Sequence, residues 1–65
     1  KGADINFQDS IGRTALMIAV ERENFNSVKA LISLGADMEI LDYSGRSVYD
    51  YAQFSRKSEI RKLFQ

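Results

Sequence analysis

Asp9-Ser10-Ile11-Gly12-Arg13-Thr14 returns, 33 residues later, as Asp42-Tyr43-Ser44-Gly45-Arg46-Ser47. The offset of 33 holds without a gap at three further anchors: Gly2-Ala3-Asp4 against Gly35-Ala36-Asp37, Ala19 against Ala52, and Lys29 against Lys62. Self-similarity at a fixed period marks a chain built from stacked units, each burying its apolar face against its neighbours. Each copy of the phrase carries turn chemistry. Its Asp can accept hydrogen bonds from amides just downstream, and its Gly is free to take positive φ.

The residues that follow the first phrase change period. Leu16, Ala19 and Val20 fall at i, i+3, i+4 and make one apolar helical face; Val28, Leu31 and Ile32 repeat the pattern, with Leu34 closing it. Thr14 stands where a hydroxyl caps the first helix, and Gly35 where a left-handed residue ends the second. Glu23-Asn24 is a short polar turn, in which Asn24 either takes positive φ or caps the second helix. Two helices joined by so short a turn pack antiparallel. In the second unit a final helix is expected from about Ser58 to Gln65, with Ser58, Glu59, Arg61, Lys62 and Gln65 to water and Ile60, Leu63 and Phe64 inward. The spacing assigns Leu16, Ile18, Val28, Leu31, Ile32, Tyr49 and Tyr51 to the core.

A period of 33 residues with a β-turn and two helices resembles the ankyrin repeat. Gly12-Arg13-Thr14-Ala15-Leu16-Met17-Ile18-Ala19 is similar to the family motif G-x-T-P-L-H-x-A, and Gly35-Ala36-Asp37 to the G-A-D that closes a repeat. The resemblance implies an all-α repeat fold, an α-solenoid of antiparallel helix pairs joined by β-hairpin-like loops. It divides the chain into residues 1–8, the tail of a preceding truncated repeat; 9–41, a complete repeat; and 42–65, a divergent C-terminal capping repeat. The motif proline is replaced by Ala15 and Val48, and the motif histidine by Met17 and Asp50. The helix-ending glycine is replaced by Glu23 and Arg56, where a left-handed φ costs on the order of 1 kcal/mol.

Composition narrows the function. The 65 residues include no histidine and no cysteine, which removes the usual zinc, haem and iron–sulfur ligands and the common nucleophile–base pairs. Gly2, Gly12, Gly35 and Gly45 are scattered one per segment, so no phosphate loop forms. Asp9 and Asp42 read as turn-capping residues that could also approach one another across neighbouring loops. The longest apolar run, Ala15 to Val20, is far short of the roughly 20 residues a bilayer demands. Nine basic residues balance nine acidic ones, and the basic pairs Arg56-Lys57 and Arg61-Lys62 read as a solvated helix face, or else as a contact for a local acidic partner or a phosphate. The expectation is a protein with no enzymatic activity, cofactor, metal, nucleic-acid contact or membrane insertion, in an intracellular, cytoplasmic setting.

The resemblance also implies where a protein partner would bind, because ankyrin arrays use their loop tips and the concave face of each first helix. Carried to this chain, those positions are Ile11, Met17, Glu21, Leu41, Tyr43, Asp50 and Phe54, with Gln8, Ser10 and Ser44 beside them. Tyr43 is either a large rigid contact for the partner or a ring lying on the neighbouring loop. Phe54 either covers the core or faces the partner. Two further readings stand beside the binding scaffold: a structural or regulatory segment of a larger enzyme or channel, and a nucleic-acid binder, against which zero net charge argues. Two units leave the side of the first uncovered, with Phe7, Ile18 and Phe25 near it, so the chain is expected either to be marginally stable or to cover that N-terminal face by self-association.

Overall fold

The computed structural model describes residues 4–65, so Gly2 and Ala3 of the first anchor lie outside it. Its elements are α1 (Ala15–Glu21), α2 (Phe25–Ser33), α3 (Val48–Gln53) and α4 (Ser58–Leu63), with no strand among the described residues. Thr14 opens α1 from an extended conformation (ψ 168°), and its Oγ1 accepts the Met17 N–H at 3.3 Å. Asn24 opens α2 in the same way; its Oδ1 accepts the Ser27 N–H at 3.2 Å, which makes it a cap with φ −92°. Each side chain satisfies one of the amides that a helix start leaves without an intrahelical partner.

The helix ends are built on backbone bonds. After α2, Gly35 takes φ +89°, its N–H donates to Ile32 and the N–H of Ala36 donates to Leu31. This paired closure needs a left-handed residue at its turn. After α1 the same pair of bonds forms, Glu23 to Val20 and Asn24 to Ala19, on a glutamate at φ +57°. Arg56 was expected to match Glu23 and does not: Glu23 is the one non-glycine residue with positive φ among those described. The reason is length. Shifted by 33, α1 would run from 48 to 54, but α3 stops at Gln53 and so turns before Arg56 is reached.

The short connection Arg22–Asn24 folds α2 back along α1, and Phe54–Lys57 does the same between α3 and α4. The two helix pairs then stack, α1 against α3 and α2 against α4. Leu16, Met17, Val20, Val28, Val48 and Ile60 are at most 1% exposed and fill the seam between the pairs. Burying each contributes about 1.5–3 kcal/mol. The buried polar side chains Thr14, Asp42 and Ser55 leave no unpartnered atom.

Four expectations need correction. Ile18 is only half-buried, because among the described residues no helix packs on the side of α1 away from α3, where Ile18 lines an open hollow. Tyr49 is 41% exposed and meets Phe64 edge-on at 5.8 Å between ring centres. Among the described residues no further helix packs on the side of α3 away from α1. Phe25 lies against the core, with Lys29 Nζ 5.3 Å from its ring centre, and not at the open N-terminal side. The final helix ends at Leu63.

Candidate functional site

The two loops that carry the repeated phrase are held in one frame. Asp9 Oδ1 accepts the N–H of Ile11 at 3.1 Å and of Arg13 at 2.8 Å; Asp42 Oδ1 accepts those of Ser44 at 2.9 Å and Arg46 at 2.8 Å. Each aspartate N–H donates to its own arginine carbonyl, closing the loop at 2.9 and 2.8 Å. The aspartates therefore act as turn caps, each inside its own loop.

Bonds between the units span one sequence period or a residue or two less. Gln8 Nε2 donates to the carbonyl of Leu41, 33 residues on, at 2.8 Å, and also to Gly12 at 2.8 Å. The Tyr43 N–H donates to Ile11 at 3.1 Å, and the Asp37 N–H to Asn6 Oδ1 at 2.8 Å. At the far end Glu23 accepts the N–H of Arg56, again 33 residues away, at 2.8 Å. One translation thus relates sequence and structure.

These bonds bring Ile11 and Tyr43 side by side at the loop tips, 53% and 69% exposed, with Leu41 at 52% just before the second loop. Tyr43 lies on the neighbouring loop and is exposed as well. The root of its ring lies over Gly12 of the preceding loop, while the rest of the ring faces water. Phe54 is 78% exposed and so does not cover the core. Glu21 is exposed but gives one oxygen to Arg13 at 2.6 Å. Asp50 is half-buried at the start of α3, where it accepts the Ser47 N–H at 3.0 Å. Met17 does not lie on this face. At 1% exposure it belongs to the core, because α1 is covered by α2 and α3 together.

On the other side of α1, Ile5, Phe7, Ala15, Ile18, Leu31 and Leu34 line an apolar hollow of about 660 Å³. Sequence reasoning found Phe7 and Ile18 there but missed Leu34, which is 73% exposed. Its position next to the helix-ending Gly35 was the available signal. No helix among the described residues is long and apolar enough to cross a membrane, and no group of three or more acidic side chains is placed to hold a metal ion.

Titration of the loop frame has a definite sign. The Tyr51 hydroxyl, donating to Asp42 Oδ2 at 2.6 Å, and then the Arg46 N–H hold the Asp42 carboxyl below its usual range. The Arg13 N–H does the same for Asp9. Glu21 and then Asp9 push the Arg13 guanidinium further up. Burial, and then the bond to Asp42, raise Tyr51 from 10.0 to about 12. Depressed carboxylates stabilise the fold above their unfolded pKa, and that contribution is lost as pH falls through the lowered value. The raised phenol stabilises the fold below its unfolded pKa and ceases to do so as pH rises toward the folded one. Urea midpoints measured against pH should therefore fall below the ordinary carboxylate range and again between 10 and 12. Tyr51→Phe should flatten the alkaline fall relative to wild type; an unchanged alkaline limb would dissociate Tyr51 from it.

The family model described as "Ankyrin repeats (3 copies)" matches residues 1–65. The chain belongs to the ankyrin-repeat family. An ankyrin repeat protein of Acanthamoeba polyphaga mimivirus is 39% identical over 64 residues, covering 98% of this chain and 9% of its own length. One from Rickettsia bellii is 34% identical over 64 residues, 97% of this chain and 38% of its own. The human transient receptor potential cation channel subfamily A member 1 is 46% identical over 46 residues, 71% of this chain and 4% of the channel subunit. The crystal structure of EF0377, an ankyrin repeat protein, matches with a TM-score of 0.85 at 40% identity, over 95% of this chain and 34% of that one. The chain thus spans well under half the length of each of these relatives. The all-α ankyrin solenoid expected from the repeat is the observed fold. Its departures from the ankyrin motif have structural addresses: Met17, in place of the motif histidine, fills the core, whereas Asp50 in the same place ties down Ser47.

Proposed function

We propose that this chain is a non-catalytic protein–protein interaction module, reading as one complete ankyrin repeat (9–41), a divergent capping repeat (42–65) and the tail of another (1–8). Its partner binds the loop tips Ile11, Leu41 and Tyr43 together with Glu21 and Phe54 on the first-helix face, Asp50 lying at the margin. The observation that supports this is the pairing of exposure with rigidity. Ile11 and Tyr43 are more than half exposed, yet their backbones are fixed by cross-loop and turn bonds. A preordered apolar patch loses little entropy on binding.

Replacing Ile11, Leu41 and Tyr43 together by serine should weaken capture of a partner by at least about ten-fold, since a few buried apolar anchors carry most interface energy. Far-UV circular dichroism should show the fold retained. Undiminished binding by a folded triple variant would move the site elsewhere.

The chain aligns with 4% of a cation-channel subunit, which supports a second reading as a structural or regulatory segment of a larger enzyme or channel. The apolar hollow beside Phe7, Ile18 and Leu34 supports, within either reading, self-association through that face.

A further inference from the structure

The two loops are copies in sequence but not in electrostatics. In the first, the Arg13 guanidinium is held from two sides, by Asp9 Oδ2 at 3.0 Å and by Glu21 at 2.6 Å. At the offset of 33 the arginine persists as Arg46, but one holder is engaged elsewhere and the other is replaced. Asp42 is present, yet its Oδ2 is taken by the hydroxyl of Tyr51, which stands where the first helix has Ile18. Glu21 is replaced by Phe54. Among the described residues the exposed Arg46 side chain has no ion pair; its backbone N–H is the group that Asp42 uses.

The other acids nearby are engaged as well. Glu21 holds Arg13, Glu23 accepts the Arg56 N–H, and Asp50 accepts the Ser47 N–H. Arg46 and Phe54 together line two neighbouring hollows, about 250 Å³ on the side of Glu21 and Tyr51 and about 470 Å³ on the side of Asp50 and Gln53. A cation with no ion pair among the described residues, though still within the field of Asp42, therefore stands beside the most exposed aromatic ring of the described chain.

We propose that Arg46 recognises a single carboxylate on the protein partner, an Asp or Glu side chain whose apolar neighbour packs on Phe54. The inference rests on the binding face proposed above and adds the chemistry of the partner. A guanidinium can meet a carboxylate through two parallel N–H bonds, and an apolar contact alongside excludes the water that would weaken them. Glu21, Glu23 and Asp50 repel a run of acids, so the surface selects one carboxylate in an apolar setting and rejects a polyacidic tract.

The test is to pan a phage library of random dodecapeptides on the 65-residue chain. Selected peptides are then titrated against wild type, Arg46→Gln and the loop-tip triple-serine variant. The expected result is a pool sharing an Asp or Glu next to an aromatic or aliphatic residue. Arg46→Gln should bind these peptides at least about ten-fold more weakly, as for loss of a charge-assisted pair, with an unchanged circular dichroism melt. Panning on Arg46→Glu should instead select Lys or Arg. A pool without carboxylate enrichment, or affinities within two-fold on Arg46→Gln, overturns the inference. If such peptides still lose affinity on the triple-serine variant, the wider binding face stands without it. Peptides insensitive to both variants, or a library yielding no binder, overturn both readings.

Discussion

Gly12→Ala should unfold much of the chain at ambient temperature, whereas Gly45→Ala should leave it folded. The two glycines sit at equivalent places in the two loops with nearly the same backbone angle, φ +88° and +85°. An alanine at either pays the left-handed penalty of about 1 kcal/mol. Their surroundings differ. A Cβ on Gly12 would lie 2.5 Å from the backbone nitrogen of Tyr43 and 2.6 Å from its ring, whereas a Cβ on Gly45 meets nothing within 4 Å. The obstacle at Gly12 is main chain, so relief requires the second loop to move. Moving it strains the Tyr43 N–H bond to Ile11 and the Gln8 bond to Leu41. Two such bonds and the clash together should cost about 3 kcal/mol or more. Domains of this size hold roughly 0.05–0.15 kcal/mol per residue, so that loss is a large share of the total. Urea unfolding followed at 222 nm would compare the two variants directly. Equal midpoints would mean that the loops adjust without cost and that the Gly12–Tyr43 contact does not set stability.

The features legible in the sequence are those decided within a few residues. Asp9 and Asp42 cap their turns, Thr14 and Asn24 cap their helices and Gly35 ends one, because each acts on amides close by in the chain. The repeat itself was legible because stacking carries residue n onto n + 33, as the Gln8–Leu41 and Glu23–Arg56 bonds show. Errors arose where the answer depended on which side of a helix has a neighbour. Ile18 and Tyr49 have helical spacing suited to a core, but one looks away from α3 and the other beyond the last helix pair. Arg56 was misplaced by one residue of helix length, which no local signal encodes. That Arg46 has no ion pair among the described residues was hidden for another reason: it depends on changes at two separated positions, Phe54 for Glu21 and Tyr51 for Ile18, the second of which redirects the unchanged Asp42.

Met17 and Phe54 offer the sharpest contrast between a framework residue and a contact residue, since family position assigned both to one surface. Met17 is 1% exposed in the core cluster, and Phe54 is 78% exposed. Met17→Ala should therefore destabilise the chain by about 2–5 kcal/mol, the cost of a buried side chain plus the cavity it leaves. Phe54→Ala should change stability by no more than about 0.5 kcal/mol, because truncating an exposed side chain leaves no cavity. Urea midpoints read the first effect, and affinity for a selected peptide, measured in the cold where both variants are folded, reads the second. Phe54→Ala should weaken binding with its midpoint unchanged, and Met17→Ala should lower the midpoint while the folded fraction binds normally. The reverse assignment of effects would place Met17 on the surface and Phe54 in the framework. The same pair separates two causes of lost binding that a single measurement confuses: a contact removed and a fold weakened.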